Sequence, residues 1–548
     1  MAERRPLRQN RCMRFAIAAS TIFCVAADLF CQTADVRPES RRLRADLQFL
    51  CSDALAGRVS LSHEAEIAAR YIAAEFESIG LQPLAGSSYL QEFPMIAYRA
   101  DPGKRKLALL RGGAAKPFTP GVDFTGAFSR DVKIEARPLV FVGYGITAPE
   151  YGYDDYAHMD VKGKVVVMFD HEPQEDDPRS AFNGSGHTLH AGRAIKVANA
   201  QQHGAAAVLI ASEPLRRHRG LLEAAAGGTG SGQPLRASAP AQALEEGPQI
   251  PAFSIADSVL SELLSPLHQK PADLQQAIDT ALEPRSATLP DSMVELQSGN
   301  AEMHRGTSFN VVGLLEGSDP VLKSETVLIT AHYDHLGLQA GHVYPGANDN
   351  ASGTVAVMEL ARLFLGNGPR PGRSLLFVVF GSEEQLMMGS FHYTAHPLRP
   401  LESTRAVLNL DMIGRNEAHI PQSQGVLEIP ADTSNELNLV GTTYSADLLE
   451  TIERENRSVG LTLDRKFDSD HLLNALFRCD HLPFLVAGIP AIWLFGGFHP
   501  GYHEPSDTVE KLNFSKMEKV IRLAYRVAER VATDPRVPRF AVNRQLPK

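Results

Sequence analysis

Four short apolar runs in the second half of the chain have the pattern of strands that are buried on both faces. They occupy residues 327–330, 375–380, 406–410 and 491–495, and branched or aromatic side chains dominate them. Continuous apolar runs of this length are typical of parallel strands. Helical stretches separate the runs, which indicates βα units. The sequence therefore predicts an α/β fold with a mixed, largely parallel central sheet flanked by helices.

Two amphipathic segments are predicted to be helices that pack on this sheet. In residues 62–79 the apolar positions, among them Ile72 and Phe76, fall on one helical face, and Gly80 follows as a stop signal. Residues 515–533 repeat the helical pattern near the end of the chain.

Residues 135–285 are predicted to form a smaller, inserted, β-rich α/β module. Its strand-like segments surround a helix–turn–strand pattern, and an Ala/Gly/Pro/Ser-rich stretch between residues 216 and 248 predicts a long mobile loop. We find no pattern of metal ligands in this module. Its histidines His187, His190 and His203 are predicted to lie on the surface.

Residues 1–34 have the pattern of a secretion signal. Five arginines precede an apolar run at residues 15–27, which is shorter than the ~20 residues that span a bilayer. The prediction is a secreted or periplasmic protein with no stable membrane insertion once the signal is removed. A membrane anchor, or a true start at Met13, is the alternative.

The length of 548 residues fits two or three domains. We predict a leader at 1–34, a catalytic domain at 45–130 plus 300–535, the inserted module at 135–285, and a tail at 536–548. The net charge of −10 and the lack of a basic block argue against a nucleic-acid partner. Three of the five cysteines lie in or beside the leader, so any metal must be held by histidine and carboxylate.

Residues of metal-ligand type follow each of the four apolar runs. In chain order these are His332, the pair Glu383 and Glu384, Asp411, and His503, while Asp349 opens the helical run between the first two. In open α/β sheets, ligands bind beyond the carboxyl ends of the strands. The spacing therefore predicts that these side chains meet at one edge of the sheet.

This set can hold two zinc ions, because neutral imidazole and carboxylate are good zinc ligands. Two zincs that lie close together need one bridging carboxylate, and Asp349 is predicted to be that bridge. His332 and Asp411 would complete one site, and Glu384 and His503 the other. Each ion then keeps an open position for water, as catalytic zinc does.

Two further acids are predicted to act beside the metals. Glu383 adjoins a ligand and is the expected general base for a metal-bound water. Asp334 follows His332 by two positions, so its carboxylate is predicted to hold the second nitrogen of that imidazole and fix its tautomer.

Each position taken alone has an ordinary alternative. Asp349 could cap a helix, the acid pair could be a solvated strand end, Asp411 a loop acid and His503 a surface histidine. Only the complete set favours a metal site. Because that set is already filled, three more histidines are predicted to be non-ligands: His335, His342 and His499. The chain has no H-E-x-x-H motif, which excludes the single-zinc helix arrangement.

The segments AHYDHLG, GANDNASG, GSEE, NLDMIG and YHEPSDT resemble the signature segments of the co-catalytic dizinc aminopeptidase family, which includes secreted bacterial leucine-type aminopeptidases. DYAHMDVKGKVVVMF resembles the protease-associated domain that many members carry as an insertion. The resemblance implies a zinc exopeptidase fold, the same five ligands and the same base. It also implies that Tyr502 stabilises the oxyanion. The chain departs from the family pattern in two places. Gln385, Met387 and Met388 follow the acid pair, and Cys479 stands where the family has serine.

The predicted function is a zinc-dependent metallo-aminopeptidase that removes N-terminal residues from peptide substrates. A hydroxide shared by the two zincs would attack the first peptide carbonyl while Glu383 takes its proton. A carboxypeptidase of the same fold is one alternative, with Arg415, Arg465 or Arg478 holding the terminal carboxylate. A single-zinc cyclase relative and a non-catalytic peptide-binding relative are the others.

Overall fold

The computed structural model describes residues 36–184, 186–216, 220, 222 and 240–541. The predicted leader and most of the stretch between residues 216 and 248 lie outside these residues. The chain from Pro38 onward forms one compact unit. Within the described ranges, no helix has the length and apolar character needed to cross a membrane.

The α-helices are α1 (Ser40–Leu50), α2 (His63–Ile79), α3 (Arg193–Gln202), α4 (Asp257–Leu264), α5 (Pro271–Ala281), α6 (Ser352–Gly366), α7 (Met388–Ala395), α8 (Ala446–Asn456), α9 (Leu482–Val486) and α10 (Phe514–Thr533). The strands of the first half are β1 (Gln82–Pro83), β2 (Leu90–Ala100), β3 (Lys106–Arg111), β4 (Ala114–Pro117), β5 (Phe124–Thr125), β6 (Val132–Phe141), β7 (Thr147–Ala148), β8 (Tyr153–Asp154), β9 (Val165–Phe169), β10 (Ala207–Ala211), β11 (Ala241–Leu244) and β12 (Ala252–Ile255). Those of the second half are β13 (Ala287–Ser298), β14 (Asn300–Leu315), β15 (Thr326–His332), β16 (Gly337–Gln339), β17 (His342–Tyr344), β18 (Ser374–Phe380), β19 (Thr404–Asp411), β20 (Glu436–Val440), β21 (Thr462–Asp464) and β22 (Ala491–Phe495).

A large mixed sheet has the strand order β11-β2-β14-β18-β15-β19-β22-β20-β21, with β1 paired to β14. Its centre consists of the four predicted apolar runs, because β18, β15, β19 and β22 pair in parallel in that order. Antiparallel pairings flank this centre on both sides. Every residue of β15 and β18 is buried, as the continuous apolar pattern predicts. The predicted mixed α/β class is confirmed.

Helices cover this sheet much as the amphipathic patterns predict. Ser62 caps α2 by accepting the N–H of Ala65, and Gly80 ends the helix with φ 95°. Helix α10 matches the predicted segment to within one residue. Helix α6 is buried almost all round, and a Cβ at Gly353 in its first turn would lie 2.1 Å from the carbonyl oxygen of Leu410. That close approach brings the start of α6 against the end of β19.

A second sheet has the order β4-β3-β13-β6-β9-β10-β12-β5. The pairs β6–β9, β9–β10 and β10–β12 are parallel, and β13 pairs antiparallel with both β3 and β6. The sheet thus reaches from Lys106 to Ser298, beyond the predicted bounds of the inserted module at both ends. Its aromatic and aliphatic core includes Phe124, Phe141 and Phe169.

Two predictions for the module are wrong. Ala241–Leu244 is not part of a mobile loop, because it pairs antiparallel with β2 at the edge of the large sheet. His187 is not a surface residue: it is 3% exposed, and its Nε2 lies 3.0 Å from Glu175 Oε1. His203 is exposed as predicted, and His190 is half-buried.

Candidate active site

The six candidate residues lie together at the carboxyl edge of the parallel strands. His332 is the last residue of β15, and Asp411 is the last residue of β19. Glu383 and Glu384 form a single turn after β18, and His503 follows β22. The parallel register explains the convergence, since His332 pairs with Phe380 just before the acid turn.

The side chains form two groups that share Asp349. In the first group, His332 Nε2 lies 3.4 Å from Asp349 Oδ1 and 3.5 Å from Asp411 Oδ2. In the second, His503 Nε2 lies 3.1 Å from Asp349 Oδ2 and 3.3 Å from Glu384 Oε1. Asp349 therefore presents one carboxylate oxygen to each histidine.

These separations fit zinc ligands. Two ligand atoms ~2.0–2.1 Å from a tetrahedral zinc lie about 3.3 Å apart, and the four separations range from 3.1 to 3.5 Å. His332 Nε2 and Asp411 Oδ1 are fully buried without a hydrogen-bond partner among the described residues. Buried polar atoms are rarely left in this state, so the donor set fits a group that would satisfy them.

The backbone around Asp349 is held by neighbours that leave its carboxylate available. Asn350 Oδ1 accepts the N–H of Gly353 and so caps α6, which is the role that Asp349 could have had instead. Asp507 Oδ2 accepts the N–H groups of Asn348 at 2.8 Å and of Asp349 at 3.1 Å. Asp507 is completely buried, and sequence reasoning missed it although it belongs to the YHEPSDT segment.

Asp334 does not contact the imidazole in the predicted way. Its carboxylate accepts the N–H of Glu383 at 2.9 Å and the N–H of Glu384 at 3.3 Å. The nitrogen His332 Nδ1 lies 3.2 Å from the backbone carbonyl of Asp334 and 3.8 Å from its carboxylate. The tight turn that carries the acid pair points one N–H group at each oxygen of this carboxylate, which orients the carboxylate towards the turn. Asp334 therefore fixes the acid turn, and its main chain orients the histidine.

Glu383 lies beside both groups without belonging to either. Its Oε2 is 3.7 Å from His332 Nε2, and no described residue donates a hydrogen bond to its carboxylate. Burial raises the pKa of Glu383 well above its usual value, against the lowering effect of His332. A raised pKa brings a carboxylate closer to the range in which a general base works at neutral pH.

Tyr502 stacks on a candidate ligand. Its ring centroid lies 3.8 Å from that of His503, and Phe498 packs edge-on against it at 5.2 Å. Burial raises the pKa of the Tyr502 hydroxyl well above its usual value. The hydroxyl therefore stays protonated and able to donate.

Two of the histidines predicted to be non-ligands are nevertheless part of the site. His335 is fully buried, with Nδ1 2.8 Å from Glu384 Oε1 and 4.0 Å from Asp349 Oδ2. His499 Nε2 lies 2.9 Å from Asn348 Nδ2 and so supports the loop before Asp349. His342 is exposed on β17.

Cys479 contacts the first group directly. Its thiol donates to Asp411 Oδ2 at 2.8 Å and accepts from Asn409 Nδ2 at 2.9 Å. Burial, together with Asp411 and Glu383, raises the pKa of this thiol well above its usual value. Cys479 is therefore a protonated donor that orients a ligand carboxylate, a role that serine could also fill.

The charges of the two groups are strongly coupled. Burial lowers the pKa of His332, but Asp411 and Glu383 outweigh burial and raise it well above the usual value. Burial raises the pKa of Glu384, but His503 and His335 hold it well below the usual value. The negative charges of such closely packed carboxylates must be balanced by positive charge. Protons on the imidazoles or bound metal ions can supply it.

Comparison with known proteins confirms the resemblance drawn from the sequence. Residues 310–528 match the model of Peptidase family M28, and residues 135–262 match the PA domain. The first match contains the six candidate residues, and the second covers β9, β10 and β12 of the second sheet together with β11 at the edge of the large sheet.

Two relatives illustrate the match. The chain is 28% identical over 220 residues to Aminopeptidase YwaD of Bacillus subtilis, which covers 39% of this chain and 42% of that protein. It is 29% identical over 201 residues to a probable zinc metalloprotease of Leptosphaeria maculans, which covers 33% of this chain and 45% of that protein. The chain thus spans less than half the length of either relative. Among solved structures, an aminopeptidase from Aneurinibacillus sp. strain AM-1 aligns with a TM-score of 0.46 and 21% identity, covering 92% of this chain and 96% of that one.

Proposed function

We propose that this chain is a zinc-dependent aminopeptidase that removes N-terminal residues from peptides and holds two zinc ions. One observation carries the proposal: the two oxygens of the Asp349 carboxylate face His332 and His503 at 3.4 and 3.1 Å. A carboxylate between two such imidazoles is what a bridged metal pair requires. The family match, and the names of the two relatives above, support both the peptidase activity and the choice of zinc.

His332 and Asp411 would hold one ion, and His503 and Glu384 the other, with Asp349 bridging. Bound zinc supplies a Lewis acid that polarises a peptide carbonyl and lowers the pKa of water. His335 lies close enough to Glu384 to orient it, or to add a nitrogen to the second site.

Glu383 is the proposed general base. It takes the proton of the attacking water and gives it to the leaving amine. Asp334 fixes the backbone of the turn that carries it. Two neighbours have opposite effects on the pKa of Glu383: His332 lowers it and Asp480 raises it.

Tyr502 and the acidic lining complete the proposal. The protonated Tyr502 hydroxyl would donate a hydrogen bond to the oxyanion that develops on the carbonyl. The free amino terminus of a peptide is positive, and the carboxylates of Glu383 and Asp411 favour it over a blocked end. We also propose export across the membrane, on the strength of the leader pattern at residues 1–34.

The test of the base is a pair of adjacent substitutions. Glu383→Gln removes the base but no ligand, so zinc content should stay near two per chain while kcat falls by ~10²–10⁴. Glu384→Gln removes a proposed ligand, so zinc content itself should fall. Metal analysis and steady-state kinetics on both variants decide the matter. Full activity in Glu383→Gln would refute the base, and equal zinc content in all three proteins would refute the ligand assignment.

The carboxypeptidase alternative is separated by substrate. Arg415 Nη1 lies 3.7 Å from Asp507 Oδ1, and the Arg478 guanidinium lies 5.7 Å from the ring centroid of Phe498, which itself packs on Tyr502. Hydrolysis of an amino-acid anilide should exceed that of an N-blocked dipeptide, and a chelator should abolish it. The reverse preference would favour a carboxypeptidase that uses Arg478.

A further inference from the structure

A second group of metal-ligand side chains lies in the module of the second sheet, far along the chain from the candidate active site. It contains His171 and Glu175 after β9, His187 further along the same segment, and Glu213 after β10. The ligand atoms of His171, Glu175 and His187 all lie within 4.8 Å of one another. None of these residues takes part in the mechanism proposed above.

The separations within this group are short. Glu175 Oε1 lies 2.7 Å from His171 Nδ1 and 3.0 Å from His187 Nε2. Glu213 Oε1 lies 2.9 Å from the same His171 nitrogen. These values are a few tenths of an ångström below the about 3.3 Å expected between ligands of a tetrahedral zinc. A small outward shift of the side chains would therefore admit an ion.

The group is largely shielded from solvent. The side chains of His187 and Glu213 are each 1% exposed, and those of Glu175 and His171 are 11% and 16% exposed. Four protein ligands in a closed pocket are typical of structural zinc, whereas catalytic zinc keeps an open position.

The carboxylates that contact the group are Glu175 and Glu213, and Asp170 is buried next to His171 in the chain. Lys196 is a buried cation whose ammonium donates to the carbonyl of Phe169, and burial raises the pKa of Glu172 to about 8, so that this acid is neutral at pH 7. A protonated His171 is the ordinary alternative to a metal, but its Nδ1 has a single hydrogen to share between two carboxylate oxygens at similar distances.

We propose that His171, Glu175, His187 and Glu213 form a structural zinc site that is separate from the candidate active site. Two imidazole nitrogens and two carboxylate oxygens suit zinc by ligand type. The site would join the segment after β9 to the segment after β10.

The same site would also stiffen the contact with the catalytic part. His471 Nε2 lies 3.5 Å from Asp176 Oδ1, and the ring of His187 lies 5.8 Å from that of Phe477. Asn183 Nδ2 donates to the carbonyl of Asp468 at 3.3 Å. The segment from residue 171 to residue 187 therefore packs on residues 468–477, and an ion within it would fix both.

The test is the zinc content of the full chain after dialysis against a buffered free-zinc concentration. Glu175→Gln and His187→Ala should each contain one zinc per chain less than wild type. This difference does not depend on how many ions the active site holds. Glu175→Gln preserves side-chain volume, so it decides the matter even where His187→Ala does not fold.

His396→Ala is the matched control. Glu246, His392 and His396 form another group of ligand type, but Glu246 and His396 are exposed, so zinc held there would be adventitious. The control should contain as much zinc as wild type. Hydrogen exchange of residues 171–187 should also quicken in Glu175→Gln and not in His396→Ala. The proposal would be overturned if Glu175→Gln contained as much zinc as wild type. It would also be overturned if only His396→Ala lost one zinc per chain.

Discussion

Replacing Asp507 by alanine should disable the candidate active site although Asp507 is not a proposed ligand. One oxygen of this buried carboxylate accepts the N–H groups of both Asn348 and Asp349. These two bonds fix the main chain from which the Asp349 carboxylate, the proposed bridge, extends. Without them, the Asp349 side chain is free to leave the position between His332 and His503.

The magnitude follows from the two lost bonds. A buried N–H that loses its partner costs ~1–3 kcal/mol, so the alanine variant forfeits about 2–6 kcal/mol in this loop. Removal of groups that orient metal ligands lowers metal affinity by ~10–100-fold. A factor of 100 corresponds to about 2.8 kcal/mol, which lies within that range.

Asp507→Asn is the informative comparison, because the amide keeps an acceptor oxygen and loses only the charge. Hydrogen bonds to neutral acceptors are weaker than those to charged ones, so this variant should fall between wild type and Asp507→Ala. Zinc affinity is measured by competition with a chelator, and kcat and KM by hydrolysis of an amino-acid anilide at saturating zinc.

The reasoning is refuted if Asp507→Ala binds zinc as tightly as wild type and turns over at the same rate. A different outcome is also instructive. If Asp507→Asn falls as far as Asp507→Ala, the charge of Asp507 and not its two hydrogen bonds supports the site.

Substitutions at two other residues should change zinc affinity or stability in a definite direction. Cys479→Ser keeps a donor to Asp411 and should bind zinc nearly as wild type does, whereas Cys479→Ala should bind it ~10-fold more weakly; equal affinities in the chelator competition would contradict this. Asp155 is buried, and burial raises its pKa to about 7 from an unfolded value near 3.8. The folded state thus retains a proton that the unfolded state releases, so wild-type stability falls as pH rises from about 4 to 7. Asp155→Asn mimics the protonated acid and should be more stable than wild type at pH 8, by up to about 4 kcal/mol. This difference in unfolding free energy should disappear towards pH 4. Thermal unfolding at several pH values measures it, and a difference that does not change with pH would contradict the prediction.

The position of the candidate ligands could be predicted because it depends on one local signal and one general rule. Each candidate ligand except Asp349, which precedes a helix, follows an apolar run that has the pattern of a buried strand, and parallel strands end at the same edge of a sheet. His332 and Asp411 are indeed the last residues of β15 and β19. The exact pairing of the side chains then follows from the register of neighbouring strands.

The residues that support the ligands could not be predicted in the same way. Asp507 and Cys479 each act through two hydrogen bonds to residues 68 to 159 positions away in sequence. Such contacts depend on how loops fold back, and no periodic pattern records them. The prediction that the Asp334 carboxylate holds the His332 imidazole is wrong for a related reason. The spacing predicts the direction of the Asp334 side chain, but it does not predict the N–H groups of the acid turn, which bind that carboxylate instead.

Residues of metal-ligand type also follow two buried parallel strands of the second sheet. His171 follows the buried strand β9 by two residues, and Glu213 follows the neighbouring parallel strand β10 by two residues. His332 and the acid pair likewise lie at or just beyond the carboxyl ends of buried parallel strands in the large sheet. The module differs in that its remaining members, Glu175 and His187, come from one long connecting segment and not from further strand ends. A search for ligand-type residues behind every buried parallel strand would therefore have found His171 and Glu213, and only the folded chain could supply the other two.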